Sequence, residues 1–163
     1  MQTHDITDLT IIGGGPTGLF AQFYAGMRGA TSQIVDALGQ LGGQLTALYP
    51  EKYIFDVAGF PKVLAKDLVK QLAEQAAQFG APSHLNQRIT GLLEEDGHFV
   101  LETETARFPT RSIVIAAGIG ATIAATVWGL GADVKSTLYD KLAQLAPGSE
   151  WPWVWAVELH FAN

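Results

Sequence analysis

The sequence contains no cysteine in its 163 residues. Disulfide bonds, thiolate metal sites and a redox-active Cys-x-x-Cys pair are therefore excluded within this chain. Positive charge is also scarce, because ten lysines and arginines are outnumbered by sixteen aspartates and glutamates, which gives a formal net charge of −6. An acidic chain without a basic stripe is not expected to bind nucleic acid.

Charged residues of both signs are few, at 16% of the chain against 48% hydrophobic residues. This composition is typical of a globular protein rather than a disordered one. A polar start that is too short for a signal peptide predicts a cytoplasmic location. Residues 112–132 carry no charge and are numerous enough to span a bilayer, but four glycines interrupt them and their start resembles a β-strand. A transmembrane helix is therefore disfavoured.

The chain is organised around a glycine-rich turn near its start. Residues 9–12 are a short apolar run, which predicts a buried parallel strand. They lead into residues 13–18, Gly-Gly-Gly-Pro-Thr-Gly, which match the pattern G-x-G-x-x-G. Apolar side chains then recur at helical spacing, at Leu19, Phe20, Phe23, Tyr24 and Met27. A second run, 33–35, ends in Asp36, and this order of strand, glycine turn, helix, strand and acid is the dinucleotide-binding fingerprint.

Each residue type in the fingerprint has a physical reason. Gly13 permits the tight turn, Gly15 lets the backbone approach a pyrophosphate, and Gly18 lets the helix pack closely on the strand. The free N–H groups at the helix start favour phosphate charge. Asp36 accepts hydrogen bonds from a ribose 2′-OH and repels a 2′-phosphate, so the pattern favours FAD or NAD over NADP. The alternative is an ordinary glycine turn that joins a strand to a helix without binding a ligand.

The segments after Asp36 alternate between loops and one amphipathic helix. Residues 38–50 have many glycines and little periodicity, so neither a helix nor a strand is predicted there, and 51–61 also read as a loop. Apolar residues between 63 and 79 then predict an amphipathic helix that Gly80 ends. A run of lysines beside this helix is interpreted as a solvated face, at Lys62, Lys66 and Lys70.

The second half of the sequence changes to a strand pattern. Residues 84–89 predict a third strand that enters the sheet, and 89–95 with 98–105 predict a hairpin closed at Asp96-Gly97. Residues 107–118 predict a further strand. The fold class is therefore α/β, with a parallel sheet and a small antiparallel hairpin layer. No residues lie at metal-ligand spacing, and no nucleophile–base pattern is found.

Four segments, in this order, resemble the thioredoxin-reductase-like ferredoxin (or flavodoxin)–NADP reductases. They are IIGGGPTGLFAQFYAGMRG, GGQLTALYPEKYIFDVAGFP, the helix KDLVKQL and the strand SIVIAAGIGA. The second segment discriminates, because thioredoxin reductases share GGQL and GFP but usually join them by a threonine-rich connection. The resemblance covers the FAD-binding portion of that family, about residues 8–121, and it implies a Rossmann-like FAD-binding domain over residues 1–121.

The resemblance also implies where FAD is held. Thr17 is expected at the pyrophosphate turn and Asp36 at the adenosine ribose. Gln44 and Tyr49 are expected along the isoalloxazine, with Tyr49 offering an aromatic face, and Ile89 at the adenine. The complete set of implied cofactor-binding residues is Gly13, Gly15, Pro16, Thr17, Gly18, Asp36, Gly43, Gln44, Tyr49 and Ile89.

The activity implied by the resemblance is electron transfer between NADPH and ferredoxin or flavodoxin through FAD, without a catalytic acid or base side chain. Ferredoxin or flavodoxin is then the partner, and a homodimer is expected. Family members continue with an NADP(H)-binding domain, which is not found here. The alternative function is therefore a truncated FAD- or nucleotide-binding module without turnover by itself.

The resemblance ends near Ala121, because Thr122 occupies a position that is aromatic in the family. Residues 122–163 form a divergent tail that contains all four tryptophans. Its patterns predict a helix over 136–146 and a strand over 153–161. Two accounts stay open: a replacement that packs on the same domain, or a product of truncation or frameshift with exposed apolar surface.

Overall fold

The computed structural model describes residues 1–118 and shows an α/β fold for them. The three helices in this part are α1 (Pro16–Met27), α2 (Gln44–Ala47) and α3 (Ala65–Ala77). Its strands are β1 (Gln2–Thr3), β2 (Thr7–Ile12), β3 (Ser32–Val35), β4 (Tyr53–Ile54), β5 (Val63–Leu64), β6 (Ser83–His84), β7 (Ile89–Glu95), β8 (His98–Thr103) and β9 (Ala106–Ile115).

Seven of these strands form one mixed sheet, and β4 with β5 form a separate antiparallel pair. The order in the large sheet is β6-β3-β2-β9-β8-β7, with β1 also paired to β9. Strands β6, β3, β2 and β9 run parallel, whereas β8 pairs antiparallel with β9, and β7 pairs antiparallel with β8. Ile12 lies opposite both Val35 and Ile115, so β2, β3 and β9 end at one edge of the sheet. Open α/β sheets bind ligands at such a carboxyl edge.

Apolar side chains cover the sheet on both faces. On the helical face, Ile11 is fully buried against Leu19 of α1 and Ile34 of β3. On the other face, Phe108 is the largest fully buried side chain and packs with residues of the hairpin strands. Burial on both faces explains why the apolar residues at the ends of β2 and β3, Ile11-Ile12 and Ile34-Val35, are adjacent rather than alternating with polar ones.

A polar network lies inside the sheet between β2 and β3. The Gln33 side chain is 1% exposed, and its Nε2 donates to Thr10 Oγ1 at 3.0 Å and to Thr7 Oγ1 at 3.2 Å. Buried amides carry a large desolvation cost unless they form hydrogen bonds. The two threonines therefore explain how a glutamine is accommodated in a central strand.

Helix α1 is present where its spacing predicted it, but its buried face differs from the expected aromatic one. The residues that it buries are Gly18, Leu19, Gln22 and Ala25. Phe20, Tyr24 and Met27 are 52%, 46% and 59% exposed. The reason is close packing, because a Cβ on Gly26 would lie 2.3 Å from the Phe79 ring beyond α3. Gly26 lets α1 approach Phe79 closely, and the buried face combines Leu19 with small and polar residues while three of the large side chains stay exposed.

Two sequence-based expectations for loops and strands are wrong in part. The glycine-rich stretch 38–50 contains the short helix α2, which rests on backbone bonds such as Leu48 N–H to the Gln44 carbonyl at 3.0 Å. The third strand is only β6, which pairs with β3 and ends at His84. It stops there because Asn86 adopts a positive φ of 56°, which interrupts an extended chain.

The predicted hairpin and amphipathic helix are confirmed. Strands β7 and β8 pair through Glu95 and His98, and the turn residues Asp96 and Gly97 have φ values of 49° and 76°. Positive φ at both positions is the geometry of a type I′ turn. Helix α3 begins at Ala65, slightly later than predicted, because β5 precedes it.

Part of the uncharged stretch 112–132 belongs to β9, and the rest lies mostly outside the described residues. No helix within residues 1–118 combines the length and hydropathy needed to cross a bilayer. The predictions for the tail, namely the helix over 136–146 and the strand over 153–161, fall outside the described part of the chain.

Replacing Phe108 with alanine is expected to lower the free energy of unfolding by about 3–5 kcal/mol, because it opens a cavity in the core. The matched control is Phe55→Ala, since Phe55 is 68% exposed and its truncation is expected to change stability by about 0.5 kcal/mol or less. Urea unfolding followed by circular dichroism measures both. Equal losses in the two variants would contradict the assigned core.

Candidate dinucleotide-binding site

The glycine turn joins β2 to α1 with contacts that only glycine permits. Gly13 has a φ of 106°, and a Cβ there would lie 2.5 Å from the Ala116 carbonyl oxygen. A Cβ on Gly18 would lie 1.9 Å from the Gly13 carbonyl oxygen. These contacts fix the close approach of the turn to β9 and of α1 to the turn.

Gly15 differs from Gly13, Gly14 and Gly18 of the same turn because the space beside it is open. The nearest atom to a Cβ built there is Gly43 Cα, at 4.0 Å. Gly15 is also the N-cap of α1, with extended backbone and no side-chain cap, and Pro16 and Thr17 are the first residues of the helix. The amide groups of this first turn and the helix dipole favour an anion. A phosphate group therefore fits here.

Asp36 follows β3 and is only 8% exposed. Its Oδ2 accepts a hydrogen bond from the Gly14 N–H at 2.5 Å, and its Oδ1 accepts one from the Leu38 N–H at 2.8 Å. Each carboxylate oxygen has a second lone pair, so a hydroxyl donor can still bind. The carboxylate predicted to hold a ribose thus also fixes the glycine turn to the loop after β3.

A second glycine loop is bonded directly to the first. The Gly42 N–H donates to the Gly14 carbonyl at 2.8 Å. Gly43, with a φ of 56°, faces Gly15, and a Cβ on it would lie 3.1 Å from Gly15 Cα. Gly14 and Gly42 were not predicted as site residues, although each is adjacent to a glycine that was, Gly13 or Gly43.

Gln44 and Tyr49 extend the site away from the glycine turn. The Tyr49 hydroxyl donates to Gln44 Oε1 at 3.4 Å, and a Cβ on Gly118 would lie 3.7 Å from Gln44 Nε2. The Lys52 ammonium lies 5.4 Å from the centroid of the Tyr49 ring. Lys52 was another residue that sequence reasoning missed, because nothing in the local pattern links a lysine to a tyrosine three positions earlier.

Ile89 lies apart from the glycine turn, at the start of β7, and packs against the hairpin face of the core. Its neighbour Arg88 lines a cavity of about 210 Å³ whose other lining residues are Ala37, Asn86, Gln87, Thr103, Glu104 and Thr105. Its lining includes the residue after Asp36 and the residue before Ile89. The Asp36 end of the site therefore opens onto a space lined mainly by polar residues.

A pair of histidines packs beneath this end of the sheet. The Asp36 N–H donates to the His84 carbonyl at 2.9 Å. The His84 ring lies 4.4 Å from the His4 ring, and both contact Phe108. Burial, and to a smaller extent the charge of His4, lowers the pKa of His84. His84 Nε2 is buried without a hydrogen-bond partner among the described residues, so protonation there has a cost.

The fold and these contacts together define a class of protein. A glycine turn at a helix start and an acid after the neighbouring strand lie at the carboxyl edge of a parallel sheet. This arrangement is that of a Rossmann-like dinucleotide-binding domain. Within residues 1–118, no group of three or more histidines, aspartates or glutamates is placed to hold a metal ion.

Comparison with known proteins narrows this class. The chain is 53% identical over 118 residues to a ferredoxin–NADP reductase of Halalkalibacterium halodurans, a match that covers 72% of this chain and 36% of that protein. A ferredoxin–NADP reductase of Thermus thermophilus is 54% identical over 118 residues, with coverages of 72% and 35%. No family model matches the chain. The chain therefore spans about a third of the length of these relatives.

Solved structures give the same fold. Thioredoxin reductase of Lactococcus lactis superimposes with a TM-score of 0.61 at 27% identity, over 69% of this chain and 35% of that one. The predicted fold class, a Rossmann-like domain of the FAD-binding type, is confirmed. The predicted resemblance is also confirmed: the chain is homologous, over most of its length, to one part of the ferredoxin–NADP reductases.

Replacing Gly18 with alanine is expected to abolish or strongly reduce folding, because the new Cβ would collide with the Gly13 carbonyl oxygen. Gly15→Ala is the matched variant, since its Cβ meets no atom closer than 4.0 Å, and a loss of about 1 kcal/mol or less is expected for an alanine N-cap. Thermal unfolding compares the two. The described geometry is contradicted if both variants melt at the wild-type temperature.

The stability of the fold is expected to fall as the pH drops below the ordinary pKa of histidine. Because the pKa of His84 is lowered on folding, the unfolded chain binds the proton more readily, and acid favours unfolding. Denaturant unfolding at about pH 7.5 and about pH 5.5 measures this loss. The loss should be smaller in His84→Phe and unchanged in His98→Gln, and an equal loss in all three proteins would rule out His84 as its source.

Proposed function

We propose that residues 1–118 bind FAD and form the first part of the FAD-binding domain of a flavoprotein of the ferredoxin–NADP reductase type. The observation that carries the proposal is the hydrogen bond between the glycine turn and the Gly42 loop. It joins the two segments that most resemble the ferredoxin–NADP reductases, in a chain 50–55% identical to proteins of that name.

The described residues fit the shape and chemistry of FAD. The diphosphate would lie at the start of α1, beside Gly15, where a Cβ would meet no atom closer than 4.0 Å. Asp36 would accept the adenosine ribose hydroxyls, and the cavity between Ala37 and Arg88 would admit the adenine end, near Ile89. Gln44 and Tyr49 would lie along the isoalloxazine, at the opposite end of the glycine turn.

The chain contributes orientation and charge rather than proton transfer. Bound FAD would supply the redox chemistry, namely hydride transfer from NADPH and single-electron transfer to ferredoxin or flavodoxin. Tyr49 offers an aromatic face, which its bond to Gln44 holds in place. Lys52 lies over the Tyr49 ring and adds positive charge beside it. No side-chain acid or base is required.

Further parts of the proposal follow the resemblance. Residues 1–121 are assigned to the FAD-binding unit and residues 122–163 to a divergent tail. The tail is not assigned an NADPH-binding domain, because residues 122–163 contain no second glycine fingerprint. A cytoplasmic location and a homodimer belong to the same proposal. An FAD- or nucleotide-binding module without turnover by itself is the second candidate.

Wild-type protein incubated with FAD and passed through a desalting column is expected to keep the visible flavin absorption bands. Gly15→Ala should fold but lose them, because its methyl group occupies the space proposed for the diphosphate. Gly91→Ala is the control, since Gly91 lies in the hairpin and a Cβ there meets only the flexible Glu102 side chain. A colourless wild-type protein, or equal retention by Gly15→Ala, would refute FAD binding at this site.

Addition of NADPH to the yellow protein under anaerobic conditions separates the two candidate functions. Bleaching of the flavin bands supports the reductase, because hydride transfer reduces FAD. Bands that persist support the binding module without turnover.

A further inference from the structure

The lysines of the described chain are concentrated in one region. All four lysines of residues 1–118 lie between positions 52 and 70, in a chain whose net charge is −6. Lys66 is paired, because its ammonium lies 2.8 Å from a carboxylate oxygen of Glu51. Within residues 1–118, Lys52 and Lys62 form no ion pair. The unpaired positive charge therefore stands beside the loop that carries Tyr49.

Exposed aromatic side chains lie between these two lysines. Tyr53 is 48% exposed and Phe55 is 68% exposed. Alternate residues of an extended strand point to the same side, so Phe55 follows Tyr53 outward while Ile54 between them is 7% exposed. We name Lys52, Tyr53, Phe55 and Lys62 the lysine–aromatic face.

The small sheet fixes this face in position. Ile54 of β4 lies opposite Val63 of β5, and both side chains are buried in the core beneath the loop. The Lys62 ammonium lies 4.9 Å from the centroid of the Tyr53 ring. Cation–π contacts of this kind order long side chains that would otherwise move freely. Two lysines and two aromatic rings are thus presented together on a supported surface.

The lysine–aromatic face has the composition of a docking surface. Aromatic residues are enriched at interface cores, and charges at the rim steer an oppositely charged partner and set the salt dependence of binding. Asp56 and Glu51 also lie in this loop, but Glu51 is neutralised by Lys66. The remainder of the described chain is acidic and would repel an acidic partner. The charge distribution therefore favours approach of such a partner to the lysine–aromatic face.

We propose that the lysine–aromatic face docks a small acidic electron-carrier protein. The inference rests on the proposed function, because it takes Tyr49 to lie beside the isoalloxazine. Because the Lys52 ammonium lies 5.4 Å from the centroid of the Tyr49 ring, a partner bound to Lys52 would lie close to that ring. Docking through few charges and a small aromatic centre gives the weak, transient complex typical of electron carriers.

The test is a calorimetric titration of the full chain with an acidic ferredoxin, which measures the dissociation constant at about 0.01 M and at about 0.15 M salt. Binding is expected to weaken at the higher salt. Lys62→Gln should weaken binding about threefold at the lower salt, as expected for one exposed charge pair. Phe55→Ala should weaken it about tenfold, because it removes the aromatic centre of the face.

Arg28→Gln is the matched control. It also removes one positive charge that lies over a tyrosine ring, with the Arg28 guanidinium 5.1 Å from the Tyr24 centroid. Arg28 lies at the carboxyl end of α1, about 18 Å along that helix from the glycine turn. This variant should bind ferredoxin as the wild type does.

FAD content is measured separately for every protein, and Lys62→Gln should keep the wild-type content. Equal ferredoxin affinity in Lys62→Gln, Phe55→Ala and Arg28→Gln would overturn the docking proposal. A dimer that Phe55→Ala dissociates, without change in ferredoxin affinity, would assign the face to a second copy of the chain and overturn it as well. A wild type without FAD that still binds ferredoxin through this face would refute the proposed function alone.

Discussion

Gly14 connects three distant parts of the chain through its own backbone groups. Its N–H donates to the Asp36 carboxylate, and its carbonyl accepts from the Gly42 N–H. A Cβ there would lie 2.7 Å from Leu41 Cδ2 and 3.0 Å from Asp36 Oδ2, so a larger residue would displace both side chains. The first glycine turn, the acid after β3 and the second glycine loop are therefore one bonded unit. Every other feature of the candidate site is positioned relative to it.

Sequence reasoning was most successful where local periodicity carries the information. The apolar runs of β2 and β3, the hairpin turn at Asp96-Gly97 and the amphipathic pattern of α3 were all predicted, because each depends on neighbours within a few residues. The glycine turn was also predicted, since its spacing is constrained by one strand and one helix. Together these elements determine the α/β class.

The structural features that the sequence did not predict depend on contacts between distant residues. The turn and the Gly42 loop are joined by a backbone hydrogen bond, which no side-chain pattern encodes. Helix α1 shows apolar residues at helical spacing, yet of these it fully buries only Leu19, because close packing at Gly26, rather than hydrophobicity alone, helps to select its inner face. In the site, the positions of Asp36 and Tyr49 could be named from the sequence, whereas their bonds to Gly14, Leu38 and Gln44 could not.

The two bonds accepted by the Asp36 carboxylate have a consequence for the motion of this region. Both oxygens are already held by backbone amides, so the carboxylate is oriented without any ligand, and a sugar would meet a rigid acceptor. The amide hydrogens of Gly14, Leu38 and Gly42 are tied to the same unit and are released only when it opens. They should therefore exchange with solvent deuterium together, as one cooperative segment rather than as three independent loop positions.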